Sequence, residues 1–215
     1  MILIRKQHEP ESLRRFRLTP GADFDGMPAA EKNELRLALI KEQGYICAYC
    51  MRRIRLDGVT RIEHYEKRTA ENQLDYDNLL LCCSGGEGKV NPAEYTCDKC
   101  KQDKKLHLSP LEEADMNTIR YTSNGKIISS NEVYQKDLDE VLNLNDPNGY
   151  LIKNRKAALE VVRGYLKNHL KSGQTAEALL YKLDAFYSKP NASGELEEYV
   201  GIIRWYIEKT LKAFK

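Results

Sequence analysis

The reading turns on four pieces of one segment: Ile46-Cys47-Ala48-Tyr49-Cys50, Ile62-Glu63-His64-Tyr65, Asp75-Tyr76-Asp77-Asn78-Leu79-Leu80-Leu81-Cys82-Cys83 and Thr96-Cys97-Asp98-Lys99-Cys100-Lys101. Two thiolates three residues apart can grip one ion from a tight turn, and a closed tetrahedral zinc site needs two such pairs. Cys47 and Cys50 supply the first pair. The second has to come from Cys82, Cys83, Cys97 and Cys100, and Cys97-x-x-Cys100 has the simplest local spacing. All six cysteines fall between positions 47 and 100. The opening Met1-Ile2-Leu3-Ile4 meets Arg5 and Lys6 at once and does not read as an export signal. The expected home is therefore the cytoplasm, where thiols serve metal binding or redox chemistry before disulfides.

His64 and Asn78 lie between the two half-knuckles. A zinc knuckle alone reads as a structural or interaction module. His64 taken singly reads as a packed or surface histidine, and Asn78 as a capping or turn residue. Together they sit where a base can be held on a scaffold that a metal fixes.

Outward from this segment the chain changes character. Residues 1–27 are polar, charged and broken by Pro10, Pro20, Gly21 and Gly26, which predicts an extended arm with one short helix around Ser12–Leu18. Pro28 looks like the first residue of a helix that runs to Gln43 on an apolar stripe of Leu35, Leu37, Leu39 and Ile40, with Gly44 as its stop. Asp57-Gly58, between Ile54/Leu56 and Val59/Ile62, predicts a β-hairpin; Leu79-Leu80-Leu81 is a short apolar run, and residues 84–88 predict a flexible loop. A helix is expected near Cys97–Leu106, a second hairpin around Asn124-Gly125 and a short helix over 133–143. Three amphipathic helices follow, on Leu151 to Leu170, Ala176 to Phe186 and Leu196 to Phe214, separated by Gly173 and the Pro190–Gly194 stretch. Their stripes read as a helix-bundle core. Trp205 and 13 Tyr against 4 Phe suggest aromatic surfaces able to stack on bases or on a partner.

At 215 residues, 41% hydrophobic and 31% charged, the composition suits a soluble globular protein. No run approaches the roughly 18 apolar residues of a membrane span, so no membrane partner is expected. Net charge is +2, from 34 Lys+Arg against 32 Asp+Glu, so global basicity cannot argue for nucleic acid. Local patches must carry that contact: Arg5, Lys6, Arg14, Arg15 and Arg17 in the arm, and Arg52, Arg53 and Arg55 after the first cysteine pair.

The arrangement resembles the HNH endonucleases, and more closely the PtuB-type HNH nucleases of Septu and retron-associated anti-phage systems. The resemblance rests on Glu-Pro-Glu-Ser (9–12), Thr-Pro-Gly-Ala (19–22), Glu-Gln-Gly-Tyr-Ile-Cys-Ala-Tyr-Cys-Met-Arg-Arg-Ile (42–54), Ile-Glu-His-Tyr (62–65), Leu-Asp-Tyr-Asp-Asn-Leu-Leu (74–80), Cys-Asp-Lys (97–99) and Val-Leu-Asn-Leu-Asn (141–145). It covers about the first two-thirds of the chain. It implies an α+β fold: an HNH ββα-metal core with a structural zinc knuckle, flanked by helices and followed by a C-terminal helical region. The implied division is an arm at 1–27, the nuclease domain at 28–145 and the helical region at 146–215.

Carried over residue by residue, His64 matches the general base, Asn78 the residue that orients its ring, and Glu63 the acidic partner on the metal side. Asp98 stands where related sites carry His or Asn, a departure that magnesium tolerates because carboxylate oxygen is a hard ligand. The family pattern selects Cys83 and Cys97 to complete the zinc site with Cys47 and Cys50. Arg52, Arg53, Arg55 and Lys101 are the expected nucleic-acid contacts. The implied cofactors are structural Zn²⁺ and catalytic Mg²⁺ or Mn²⁺. The implied activity is phosphodiester hydrolysis, on DNA or on a structured RNA such as tRNA. The implied partners are an ATP-binding-cassette ATPase of the defence system and, in a retron setting, the reverse-transcriptase complex. The rival reading is a catalytically silent zinc module that docks a protein or nucleic acid.

Overall fold

The computed structural model describes residues 1–56, 59–170 and 174–214. It is an α+β structure, mostly helical, with two small antiparallel sheets. The N-terminal segment does not hang free as an arm. Met1, Ile4, Leu13 and Met27 are buried, and the Ile4 amide donates to the Pro110 carbonyl. Within it lies α1 (Glu11–Arg17), close to the expected short helix.

The second helix, α2 (Ala29–Glu42), follows Pro28 and buries Leu35, Leu39 and Ile40, while Leu37 lies off that stripe and is exposed. It stops at Gly44, whose φ of +61° favours glycine and whose missing Cβ admits the Leu196 side chain. The next turn, residues 45–54, closes on itself through the Ile46↔Arg53 bridge and the Ile54 amide, which donates to the Tyr45 carbonyl. That bond explains a departure from expectation. Asp57 and Gly58 lie outside the described residues, but the flank at 54–56 forms no strand, because Ile54 is already committed to the knuckle turn.

Strand β1 (Arg61–His64) pairs instead with β2 (Leu79–Cys82), with His64 opposite Leu79 and Arg61 opposite Cys82. The three leucines of β2 are fully buried. Among the described residues no strand lies beside its other edge, so its polar groups need partners. Gln43 meets Leu81, its side-chain amide donating to the Leu81 carbonyl at 2.7 Å and accepting from the Leu81 amide at 2.7 Å, while the Ala48 amide also donates to the Leu81 carbonyl and Lys6 to the Leu79 carbonyl.

Helix α3 (Cys97–Lys101) is shorter than expected, since Gln102 takes a φ of +50° and ends it. After α4 (Glu113–Met116) come β3 (Ile119–Tyr121) and β4 (Ile127–Ser129), the hairpin expected around Asn124-Gly125. Helix α5 (Glu132–Lys136), capped by the Asn131 side chain, continues into a π-helical turn over Asp137–Val141.

The C-terminal region is α6 (Leu151–Leu170), α7 (Ala176–Tyr187) and α8 (Val200–Leu211). Gly173, expected to separate the first two, lies outside the described residues. Helix α8 packs closely on the knuckle: a Cβ on Gly201 would lie 2.6 Å from the Tyr121 hydroxyl and 2.9 Å from the Met51 side chain. Buried Arg155 of α6 donates to the Gly125 and Leu144 carbonyls, each at 2.7 Å. The arm, the middle segment and the helices therefore share one hydrophobic core.

Candidate metal centre and adjoining histidine–carboxylate cluster

Cys47 and Cys50 leave the turn after α2, Cys83 follows β2, and Cys97 opens α3. All four are buried, and their sulfurs lie within 4.8 Å of one another. The Cys47–Cys97 and Cys50–Cys83 separations are 3.9 and 3.8 Å. Sulfurs about 2.3 Å from a tetrahedral ion stand about 3.8 Å apart, so the cluster can hold a metal ion such as zinc. The Cys83 amide donates to the Cys47 sulfur at 3.4 Å, a bond that steadies a thiolate. Burial opposes ionisation here, yet hydrogen bonds from Cys50, Cys82, Cys83 and Cys97 hold Cys47 well below the usual thiol range. Burial, with Cys47 and Cys83 beside it, pushes Cys50 well above it. Thiols this close ionise together only with a cation among them. Cys82 is buried on β2 outside the four, and Cys100 faces the Glu140 carbonyl. The local spacing Cys97-x-x-Cys100 thus does not describe the cluster.

Beside it, α3 and β1 bring three ionisable side chains together. Lys101 Nζ lies 2.7 Å from Glu63 Oε1 and donates to the His64 carbonyl at 3.0 Å. The Tyr49 hydroxyl donates to the same Glu63 oxygen at 3.0 Å. Burial, and then the neighbouring Asp98, push the Glu63 carboxyl upward, and the Lys101 ammonium pulls it back toward the charged form. Lys101 departs from its expected role: it is buried and serves as the counter-ion of Glu63, so its ammonium is not on a surface that a phosphate backbone touches.

The His64 ring is half-buried, and its Nε2 lies 3.0 Å from the Gln73 carbonyl. A carbonyl only accepts, so Nε2 carries the proton and the neutral ring has its lone pair on Nδ1. Burial lowers the pKa of this imidazole. Phe24 meets the ring edge-to-face with centroids 4.6 Å apart. The Asn78 side chain does not hydrogen-bond the ring, contrary to expectation. Its side chain accepts from the Glu66 amide at 2.7 Å and donates to the Glu66 and Asn72 carbonyls, so it shapes the loop that carries Gln73.

The basic residues divide. Arg53 spends its guanidinium on the carbonyls of Gly44, Tyr45 and Leu196, so it is a structural brace and not the expected nucleic-acid contact. Arg52 donates to the Tyr150 hydroxyl at 2.9 Å, and Arg55 is exposed; both line a cleft with Thr60, Ser84 and Glu198. In the arm, Arg14 and Arg15 pair with Glu11, Arg17 with Glu9, and Lys6 with Glu42. The sequence reading missed Tyr49, Gln73 and Phe24. No local motif marks them, because each acts through a neighbour supplied by another part of the chain.

No family model and no curated protein matches this chain. Among the described residues, no helix is long and apolar enough to cross a membrane.

Proposed function

We propose that the chain is an HNH-type endonuclease: a divalent-cation-dependent phosphodiester hydrolase built on a structural zinc knuckle of Cys47, Cys50, Cys83 and Cys97. One observation carries the reading. A histidine whose Nε2 is tied to a backbone carbonyl, leaving Nδ1 as the basic nitrogen, stands at the end of β1, beside the Glu63–Asp98 pair and a four-cysteine cluster. The order β1, β2, α3 supports it, since α3 carries both a knuckle cysteine and Asp98.

In this reading His64 Nδ1 accepts the proton of a water as that water's oxygen attacks phosphorus. General-base help of this kind is worth about 10²–10⁴-fold. The bond from phosphorus to the 3′ oxygen breaks, and that oxygen leaves with a proton from solvent. Asp98, with Glu63, would hold Mg²⁺ or Mn²⁺, which supplies charge stabilisation to the phosphoryl oxygens and the departing oxygen. Lys101 and Tyr49 fix the Glu63 carboxylate, and Asn78 holds the loop behind the imidazole. Arg52 and Arg55 are the cations placed to meet a nucleic-acid backbone. Action with an ATP-binding-cassette ATPase, or within a retron complex, belongs to the same proposal and is tested by co-purification with the genomic neighbours.

The experiment is a cleavage assay on purified zinc-loaded protein with plasmid DNA, single-stranded DNA and tRNA, with and without Mg²⁺ or Mn²⁺ and the neighbouring ATPase. Metal-dependent cleavage that His64→Ala removes is expected. No cleavage of any substrate under all these conditions, from protein that retains its zinc, would leave a docking module in its place.

A further inference from the structure

Residues 22–26 cross the chain to reach His64, and the contacts they make there are specific. Phe24 packs edge-to-face on the imidazole with centroids 4.6 Å apart. The Phe24 amide donates to Gln73 Oε1 at 3.1 Å, and the backbone carbonyl of that same Gln73 takes the His64 Nε2 proton at 3.0 Å. Gln73 therefore holds the strap with its side chain and the ring with its backbone.

The strap is itself latched from two directions. Asp25 accepts from Arg68 Nη1 at 2.8 Å, tying it to the loop between β1 and β2. Lys32, on α2, donates to the Asp25 carbonyl at 3.1 Å, and its ammonium stands 5.2 Å from the centroid of the Phe24 ring. Arg68 stands 5.9 Å from the same centroid. Cations at that range are attracted to an aromatic face. Phe24 is thus gripped by α2 and by the loop while its ring meets the imidazole.

We infer that Phe24 is a positioning residue for His64, fixing the orientation and tautomer of the imidazole both by ring contact and through Gln73. The inference rests on the proposed role of His64 as the base. An imidazole on a strand end rotates about two side-chain bonds, and one hydrogen bond through Nε2 leaves the ring free to swing about that bond. An edge-to-face neighbour removes the swing, because the ring quadrupoles favour one mutual geometry. A base that must meet a water at hydrogen-bonding distance loses rate steeply when it is misaimed.

The test uses the full-length zinc-loaded protein with Phe24→Ala, Phe24→Leu and Phe24→Tyr. The first readout is the His64 tautomer from long-range ¹H–¹⁵N correlation, which does not depend on any cleavage. Wild type and Phe24→Tyr should show a single Nε2–H form, and Phe24→Ala and Phe24→Leu a mixture of tautomers, with zinc content unchanged. The second readout is steady-state cleavage: kcat should fall roughly 10- to 100-fold in the Ala and Leu variants with KM within about twofold, and Phe24→Tyr should restore it. If Phe24→Ala fails to fold, Phe24→Leu, which keeps apolar volume without a ring, carries both readouts. A single Nε2–H form in the ring-less variants would overturn the inference whatever the rate. A rise in kcat would overturn it too, and would make the strap a lid. A tautomer mixture in a protein that cleaves nothing in any form would support the clamp while sinking the nuclease reading.

Discussion

Lys101 Nζ lies 2.7 Å from Glu63 Oε1, and the two side chains are 1% and 4% exposed. This ion pair joins α3, which carries a knuckle cysteine, to β1, which carries His64. A charge so buried is tolerated only while its partner is present. Lys101→Met should therefore cost about 3–5 kcal/mol of unfolding free energy, and adding Glu63→Gln should recover much of it. Denaturant titrations of the two single variants and the double variant check this. Additive losses would mean that the pair does not couple the two elements.

The four-cysteine cluster predicts one zinc per chain, lost in Cys47→Ala, Cys50→Ala, Cys83→Ala and Cys97→Ala but kept in Cys82→Ala and Cys100→Ala. Structural zinc in small domains contributes roughly 10–16 kcal/mol of binding free energy, so losing a ligand should also unfold the surrounding segment. Metal analysis and circular dichroism of the six variants measure both. Zinc loss in Cys100→Ala with retention in Cys83→Ala would reassign the second pair.

His64→Ala should reduce metal-dependent cleavage by about 10²–10⁴-fold while leaving zinc content unchanged and lowering thermal stability only modestly, because the ring's partners are Phe24 and Gln73 and the candidate zinc ligands are four cysteines. Asn78→Ala should leave measurable cleavage, since Asn78 acts on the loop at Glu66 and Asn72 and not on the ring. Asp98→Ala should shift the Mg²⁺ concentration needed for half-maximal rate upward. Wild-type cleavage by a clean preparation of His64→Ala would remove histidine from the mechanism.

Buried tyrosines set an alkaline limit on stability. Burial pushes Tyr150 up to about 12 and raises Tyr121 and Tyr199 further. A raised folded-state pKa gives stability that is fully present below the unfolded value of about 10 and is lost as pH rises through the folded value. Unfolding free energy should therefore hold up to about pH 10 and fall between about pH 10 and 12. Tyrosinate absorbance should lag behind that of free tyrosine over the same window. Full ionisation of all tyrosines by pH 11 without loss of structure would contradict the burial of these three rings.

Elements with a repeating signal were legible in the sequence. The helix at 29–42 and the helices at 151–170, 176–187 and 200–211 follow from apolar residues at helical spacing, and the hairpin at 119–129 follows from Asn124-Gly125. A four-residue strand such as Arg61–His64 has no period to read, and its partner is set by a tertiary fact, the commitment of the Ile54 amide to Tyr45. The N-terminal segment read as an arm because its prolines and charges mask the few apolar residues, Ile4, Leu13 and Met27, that pack it down.

The sequence by itself determined that six cysteines able to hold a metal ion gather in one segment and that a histidine and an asparagine lie among them, because ligand chemistry and spacing are local properties. Local spacing left the second cysteine pair open, the family resemblance pointed to Cys83 and Cys97, and the tertiary structure brings those four sulfurs together. It turned Lys101 inward onto Glu63, spent Arg53 on the Leu196 carbonyl and laid Phe24 against His64. These are contacts between segments distant in the chain, and burial reverses what a side chain does: a lysine in water is a contact for anions, while one sealed beside a carboxylate is a brace.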